Sequence, residues 1–315
     1  MENLLFCLNA TLPVFLVMVV GYLLRYFGLL DPHFVKTLNA FNYKITLPML
    51  LFRDISQADF SQVWDTSYVL FCFIATLISI TVSWIGTRLF LKDVSLHGEF
   101  IQGAYRSSAA VLGIALIQNI YGDSSIAPLM IIGSVPLYNA AAVVVLSFNG
   151  AHAQGMDRAA VKKTAKDILT SPIILSILLG IVFSLLPFSL PVIVTKTVNN
   201  FAVLASPLAL IGLGAGFEGK KAISCIKPTI ICSVIKLLVW PAVFMPLAVW
   251  MGFSPQKLIA LLIMLGAPTT VSCYIMAKNL QHEGALTSSV VVSTTFFSSV
   301  TLTFWLFVLR SLQLI

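Results

Sequence analysis

The chain has 315 residues, of which 58% are hydrophobic and only 10% charged, with a mean hydropathy of +0.97. A water-soluble domain of this length cannot bury so much apolar surface, so the composition predicts an integral membrane protein. The net charge of +7 comes from basic residues between apolar runs, which favours basic loops at one membrane face over nucleic-acid binding.

Ten apolar stretches are each long enough to cross a hydrocarbon core of ~30 Å as a helix. They are called spans 1 to 10 and lie at residues 11–30, 34–53, 66–91, 100–121, 127–148, 168–187, 192–216, 229–251, 257–278 and 287–311. The chain begins Met-Glu-Asn without a basic region, so we expect span 1 to be a retained helix and not a signal peptide.

One short segment of the chain occurs twice. Lys36–Phe41 reads KTLNAF, and 160 residues later Lys196–Phe201 reads KTVNNF. A spacing of 35 residues separates two prolines around each copy, Pro13 and Pro48 and then Pro172 and Pro207. This agreement predicts a duplicated structural unit.

A polar linker at 149–167 divides the chain into two such units, at 1–148 and 168–315. Each unit has five spans. Because five is an odd number of membrane crossings, the second unit is inverted in the membrane relative to the first, as in secondary transporters. Loops after odd-numbered spans hold twelve basic residues, whereas loops after even-numbered spans hold three. We therefore expect the linker in the cytoplasm, both termini outside and the protein in the cell membrane.

Three basic residues, Lys44, Arg106 and Lys236, lie inside predicted spans. A charge in the bilayer interior is costly unless it is paired or solvated. The acidic residues nearest to the spans fall at predicted helix ends, namely Asp65, Glu99 and Glu218. The three cations indicate an anion as the missing partner; alternatively they neutralise helix C-terminal dipoles or reach the membrane interface.

Spans 4 and 9 carry helix-breaking patterns at positions related by the repeat. Pro268 interrupts span 9, and Thr269 and Thr270 follow it, whereas Ser107 and Ser108 occupy the related part of span 4. Irregular backbone at membrane depth is tolerated where it is buried or lines a cavity. Two interrupted helices then predict a binding site, because the N-terminus of each second half-helix attracts anions; the alternative is a pair of packing kinks.

These same segments resemble the auxin efflux carrier family. Leu112–Leu116 followed by Tyr121-Gly122 is similar to its helix-4 pattern, and Gly266–Lys278 is similar to its helix-9 pattern. Leu47-Pro48 in span 2 and Lys236-Leu237 with Pro241 in span 8 also fit. The resemblance implies ten transmembrane helices in two inverted five-helix repeats with crossed, broken helices 4 and 9. It further implies a scaffold of helices 1, 2, 6 and 7 and a moving bundle of helices 3–5 and 8–10.

The chain also departs from that family. Ser107, Ser108 and Ala115 stand where the family has Pro, Asn and a second Pro, so auxin-like specificity does not carry over. The long cytoplasmic loop of the plant members is absent, so the chain resembles a short, bacterial-type member. Relatives of that type include carriers for malonate and other organic acids.

The sequence thus predicts a secondary transporter that moves a small organic anion, a carboxylate, by alternating access. The expected substrate-binding residues are Arg106, Ser107, Ser108, Ala109, Asn139, Pro268, Thr269, Thr270, Ser272 and Lys44, with Lys236 as a coupling or structural charge. An anion channel or an uncoupled facilitator on the same scaffold is the alternative. We expect no enzyme activity, catalytic residue, metal or cofactor, because no nucleophile elbow, Gly-rich phosphate loop or metal-ligand spacing is present. Proton or sodium coupling, lipid contacts and a homodimer through the scaffold stay open as partners.

Overall fold

The computed structural model describes residues 2–56, 65–109, 126–149, 166, 170–185 and 190–315. Within these ranges the chain is helical and has no strand. The first half has helices α1 (Glu2–Tyr26), α2 (Pro32–Phe41), α3 (Leu47–Ser56), α4 (Thr66–Phe90), α5 (His97–Tyr105) and α6 (Ala127–Phe148). The second half has α7 (Pro172–Leu185), α8 (Val192–Ala202), α9 (Ala205–Ala215), α10 (Gly219–Ser224), α11 (Ile226–Val234), α12 (Trp240–Trp250), α13 (Pro255–Gly266), α14 (Ser272–Asn279) and α15 (Ala285–Ser311).

Five helical stretches of the described chain are long and apolar enough to cross a membrane. They are Thr66–Phe90, Leu129–Phe148, Val192–Ala215, Ile226–Trp250 and Ala285–Ser311, and they coincide with predicted spans 3, 5, 7, 8 and 10. Shorter apolar helices, Phe15–Tyr26, Pro172–Ser184 and Pro255–Gly266, fall in spans 1, 6 and 9. Most of span 4 and most of the central linker lie outside the described residues. The prediction of a helical membrane protein is confirmed.

Spans 2 and 7 are both interrupted near their centres. In span 2 a π-helical turn at Asn42–Thr46 joins α2 to α3, and in span 7 a short turn at 203–204 joins α8 to α9. The buried Asn42 amide Nδ2 donates to the Ala205 carbonyl over 3.0 Å, at the start of α9. The bond supplies the donor that a buried carbonyl needs, and it connects the two interruptions.

Two helix pairs approach each other closely through glycine. α1 packs along α9, where a Cβ at Gly214 would stand 1.9 Å from the Met18 carbonyl oxygen. α7 packs along α3, where a Cβ at Gly180 would stand 2.9 Å from Ile55 Cβ. Small residues let transmembrane backbones come into contact. Span 1 therefore packs on the second half of span 7, and span 6 packs on the second half of span 2.

The loops meet in two groups at opposite ends of the helices. Asp65 and Lys257, from the loops after spans 2 and 8, form an ion pair of 2.5 Å. Glu99, after span 3, is buried and accepts from the backbone N–H groups of Gly284 (2.7 Å) and Thr287 (2.8 Å), after span 9. In the first contact both loops follow even-numbered spans, and in the second both loops follow odd-numbered spans.

Candidate anion site at the crossing of two interrupted helices

Two extended segments lie side by side in the centre of the protein. α5 ends at Tyr105 and the backbone of Arg106 is extended, with φ −72° and ψ 142°. α13 ends at Gly266 and Ala267 is extended, with φ −69° and ψ 158°. The Ser108 N–H donates to the Pro268 carbonyl over 2.9 Å, so the two segments contact each other directly.

Side chains replace the helical hydrogen bonds that these interruptions remove. The Met264 carbonyl would receive the N–H of residue 268, but proline has none. The Tyr138 hydroxyl donates to this carbonyl instead, over 3.2 Å. On the other segment, the Thr269 hydroxyl donates to the Gly103 carbonyl near the end of α5, over 2.8 Å. The crossing is therefore a hydrogen-bonded structure and not a loose kink.

Lys236 has the same structural role at the end of α13. Its ammonium group is fully buried and donates to the Leu265 carbonyl. The N–H of Thr269, four residues further on, is bound to the Thr294 hydroxyl over 3.0 Å and does not serve that carbonyl. A cation at a helix C-terminus also opposes the negative end of the helix dipole. Lys236 was expected to be either a coupling charge or a structural charge. This geometry favours the structural charge.

Arg106 is a buried cation whose hydrogen-bond partners in the described part of the chain are uncharged. The residue is 2% exposed, and Nη2 donates to Asn139 Oδ1 (2.7 Å) and Ser272 Oγ (2.8 Å). Nη1 lies 2.9 Å from Met276 Sδ, a weak acceptor, and Nε has no partner among the described residues. The ion pairs of the described chain do not include this guanidinium. Within the described residues, its positive charge therefore forms no ion pair.

A cavity of about 120 Å³ lies against this guanidinium. Residues from spans 2, 4, 5, 7 and 9 line it, so the interruptions of spans 2, 4, 7 and 9 meet around one space. The lining consists of Leu47, Leu50, Leu51, Asp54, Arg106, Ser107, Ser108, Val135, Tyr138, Asn139, Ala205, Ser206, Ala209, Leu210, Thr270, Val271 and Ser272.

Six of the predicted substrate-binding residues line this cavity, namely Arg106, Ser107, Ser108, Asn139, Thr270 and Ser272. Three others, Ala109, Pro268 and Thr269, are buried in the crossing and are not part of its lining. Pro268 and Thr269 instead shape the interruption through the hydrogen bonds described above.

Lys44 does not reach the cavity. Seven-residue spacing on a regular α-helix would place it on the face of Leu51, which lines the cavity. The π-helical turn at Asn42–Thr46 has a wider turn than an α-helix and rotates the following residues. As a result Lys44 and Ile45 are exposed, whereas Asn42 and Thr46 face inward. Lys44, which was expected among the substrate-binding residues, is therefore not part of the cavity lining.

The expected backbone donors also differ from those in the structure. The N–H groups of Ser108 and Thr269 are bound to the Pro268 carbonyl and the Thr294 hydroxyl, so neither is available to a ligand. The N-terminus of α14 begins three residues later, at Ser272, and Thr270, Val271 and Ser272 line the cavity. The positive end of this helix dipole therefore faces the cavity together with Arg106.

Asp54 is an acidic cavity residue that was not among the predicted site residues. It lines the cavity, and its carboxylate accepts from Arg53 Nε (2.9 Å) and Nη2 (2.8 Å). Span 2 was predicted to end at residue 53, whereas α3 continues to Ser56. Asp54 follows Leu47 by seven residues, which places both on one helical face, and this spacing was the available signal.

Crossing interrupted helices, a buried cation and a central cavity are features of membrane carriers. The chain belongs to the family described as membrane transport protein, whose model matches residues 6–306, nearly the whole length. This is the auxin efflux carrier-like family that the sequence resembles, although Leu112–Leu116 and Tyr121-Gly122 lie outside the described residues.

Two archaeal relatives are similar to the chain over nearly their whole length. An uncharacterized transporter of Methanothermobacter thermautotrophicus is 22% identical over 306 residues, which cover 96% of this chain and 98% of the relative. An uncharacterized transporter of Methanocaldococcus jannaschii is 22% identical over 307 residues, which cover 95% and 97%. The protein is therefore a membrane transport protein, and the family assignment argues against an enzyme.

Proposed function

We propose that the protein is a secondary transporter that carries a small organic anion, most simply a carboxylate, by alternating access. One observation carries the proposal: the buried guanidinium of Arg106 lines the central cavity, and its hydrogen-bond partners among the described residues are uncharged. A buried charge is costly unless it is compensated, and a carboxylate can accept two parallel hydrogen bonds from a guanidinium. An anion in the cavity would supply the missing charge.

The surroundings of Arg106 favour an anion over a cation. The N-terminus of α14, with the positive end of its dipole, lines the same cavity at Ser272, whose hydroxyl accepts from Arg106 Nη2 over 2.8 Å. The remaining walls are mainly apolar, with Leu47, Leu51 and Val135 among them. Such a site suits a compact acid with a short apolar part.

The helix arrangement supports two inverted repeats of five transmembrane helices. α5 ends at Tyr105 and α13 ends at Gly266, 161 residues later, against a repeat offset of 160. The pairing of span 1 with span 7 and of span 6 with span 2 is also reciprocal, as repeats related by a two-fold axis require. We propose that spans 1, 2, 6 and 7 form the scaffold and that spans 3–5 and 8–10 move against it.

Asp54 is proposed as the group that couples transport to protons. It lines the same cavity as Arg106, and its carboxylate is paired with Arg53. When an anion occupies Arg106, the negative charge added near Asp54 favours protonation of its carboxyl group. Anion and proton would then cross together.

Substitution of Arg106 tests the anion site. Purified protein is titrated with a panel of organic acids, and ligand binding is measured as the rise in thermal stability. Loss of one partner of a buried charge pair costs ~2–5 kcal/mol, so Arg106→Gln should weaken the best ligand at least ~30-fold. Arg106→Lys should weaken it less, because the charge stays but the paired hydrogen bonds are lost.

Arg310→Gln is the matched control, because Arg310 is exposed at the end of α15. It should bind acids like the parent protein. Unchanged affinity in both Arg106 variants would overturn the proposal.

A single cysteine at position 108 separates a carrier from an anion channel. Ser108 lines the cavity, and alternating access exposes it to one membrane face at a time. In a background without the native cysteines, saturating substrate should change its labelling rate from each face in opposite directions. Labelling from both faces at once, with flux that does not saturate, would indicate the channel.

A further inference from the structure

A long apolar groove lies between α4 and the helix formed by α11 and α12, away from the central cavity. Its volume is about 740 Å³. The floor is buried and includes Phe100, Trp240 and Phe244, whereas the rims carry exposed apolar side chains such as Ile231 and Val243. A groove of this kind faces the bilayer, where lipid is the solvent.

The dimensions of the groove match one leaflet. From Ile78 to Phe90, α4 lines it over thirteen residues, whose twelve rises of ~1.5 Å make about 18 Å. Half of a hydrocarbon core of ~30 Å is about 15 Å, the depth that one acyl chain occupies. The groove is open at Gly86, because a Cβ at this position would meet no atom within 4 Å.

The end of the groove at Phe90 is basic. Lys227, at the start of α11, lines it. Arg88, in the last turn of α4, and Lys92 lie near the same end. The acid in this loop, Asp93, accepts hydrogen bonds from the backbone N–H and hydroxyl of Ser95, at 3.0 and 2.6 Å. Lys227, Arg88 and Lys92 outnumber this acid, so the net charge is positive where the headgroup of a lipid in the groove would lie.

We propose that this groove binds an anionic phospholipid, with one acyl chain along Gly86 and the phosphate against Lys227. Basic pockets between transmembrane helices recognise such headgroups. The site also touches the crossing: Phe100 belongs to α5, and the indole of Trp240 donates to the Ala104 carbonyl near the end of α5, over 2.8 Å. Bound lipid thus contacts two side chains that support the interrupted helix.

The test compares phosphatidylglycerol with phosphatidylcholine of identical acyl chains, added to the purified protein in detergent. Thermal stability is recorded against lipid concentration. One basic residue near an anionic headgroup is worth about a five-fold gain in affinity. Phosphatidylglycerol should therefore stabilise the protein at a concentration at least about five-fold lower than phosphatidylcholine, and Lys227→Gln, at the basic residue of the groove lining, should reduce that difference about five-fold. Glycerol phosphate, the headgroup alone, should have no effect without an acyl chain.

Substitutions that fill the groove test whether an acyl chain binds there. Gly86→Phe and, independently, Val243→Trp should weaken the effect of both lipids while the parental fold is kept. Lys220→Gln is the charge-matched control, since Lys220 is exposed and outside the groove lining. The proposal fails if Lys220→Gln reduces the difference between the two lipids as much as Lys227→Gln does, because diffuse surface charge would then explain the effect. It also fails if lipid stabilises both filling variants as it does the parent protein. Since no substrate is involved, this outcome is independent of the anion site.

Discussion

Removal of the Thr269 hydroxyl tests whether hydrogen bonds hold the crossing together. Thr269→Val keeps the shape of the side chain but leaves the Gly103 carbonyl without the donor that lies 2.8 Å away. This carbonyl is close to the end of α5, and the next residues, Arg106 to Ser108, are not helical. An unsatisfied buried carbonyl costs ~1–3 kcal/mol, and interhelical bonds measured in membranes average less. We expect a loss of about 1–2 kcal/mol in the free energy of unfolding.

Thr81→Val is the control for this substitution. The Thr81 hydroxyl makes a bond of the same length, 2.8 Å, to the Leu77 carbonyl, but it is exposed on the regular helix α4. The helix itself supplies this carbonyl with a backbone donor, so the change should stay within ~0.5 kcal/mol. Reversible unfolding in mixed micelles measures both. Equal effects for the two variants would show that the crossing does not depend on the threonine hydroxyl.

Three further predictions concern coupling, acid stability and orientation. Asp54→Asn should abolish the acceleration of uptake by an inward proton gradient yet retain acid binding; gradient-driven uptake at the parental rate would exclude Asp54 as the coupling group. The hydrogen bond from Lys257 holds the pKa of Asp65 below its ordinary value. Its stabilisation is therefore present above the unfolded-state pKa and is lost as the pH falls through the lowered, folded-state value. Lys257→Gln should cost at most ~1 kcal/mol at pH 7 and nothing at a pH where Asp65 is protonated, as shown by thermal unfolding across pH. A reporter fused after Ile315 should be extracytoplasmic and one inserted near Gln154 cytoplasmic, and the reverse result would contradict the charge-based topology.

The sequence alone determined the class of the protein and the chemistry of its crossing. Apolar runs of sufficient length specify membrane helices whatever their packing. Pro268 must interrupt a helix because it lacks an N–H group, and the structure has α13 ending two residues earlier, at Gly266. Arg106 was identified because a charge inside an apolar run requires a partner, and it lies against the cavity.

Only the tertiary structure decided which side chains meet. The donor that replaces the missing N–H of Pro268 is Tyr138, 130 residues away in the chain, and no local pattern specifies such a pair. Local sequence patterns also misplaced Lys44 and Asp54. A π-helical turn rotates Lys44 outward, and α3 continues past residue 53, so that Asp54 lines the cavity. Periodicity predicts a helical face only while the helix stays regular. The candidate site lies where spans 2, 4, 7 and 9 are interrupted, so periodicity alone could not predict its lining.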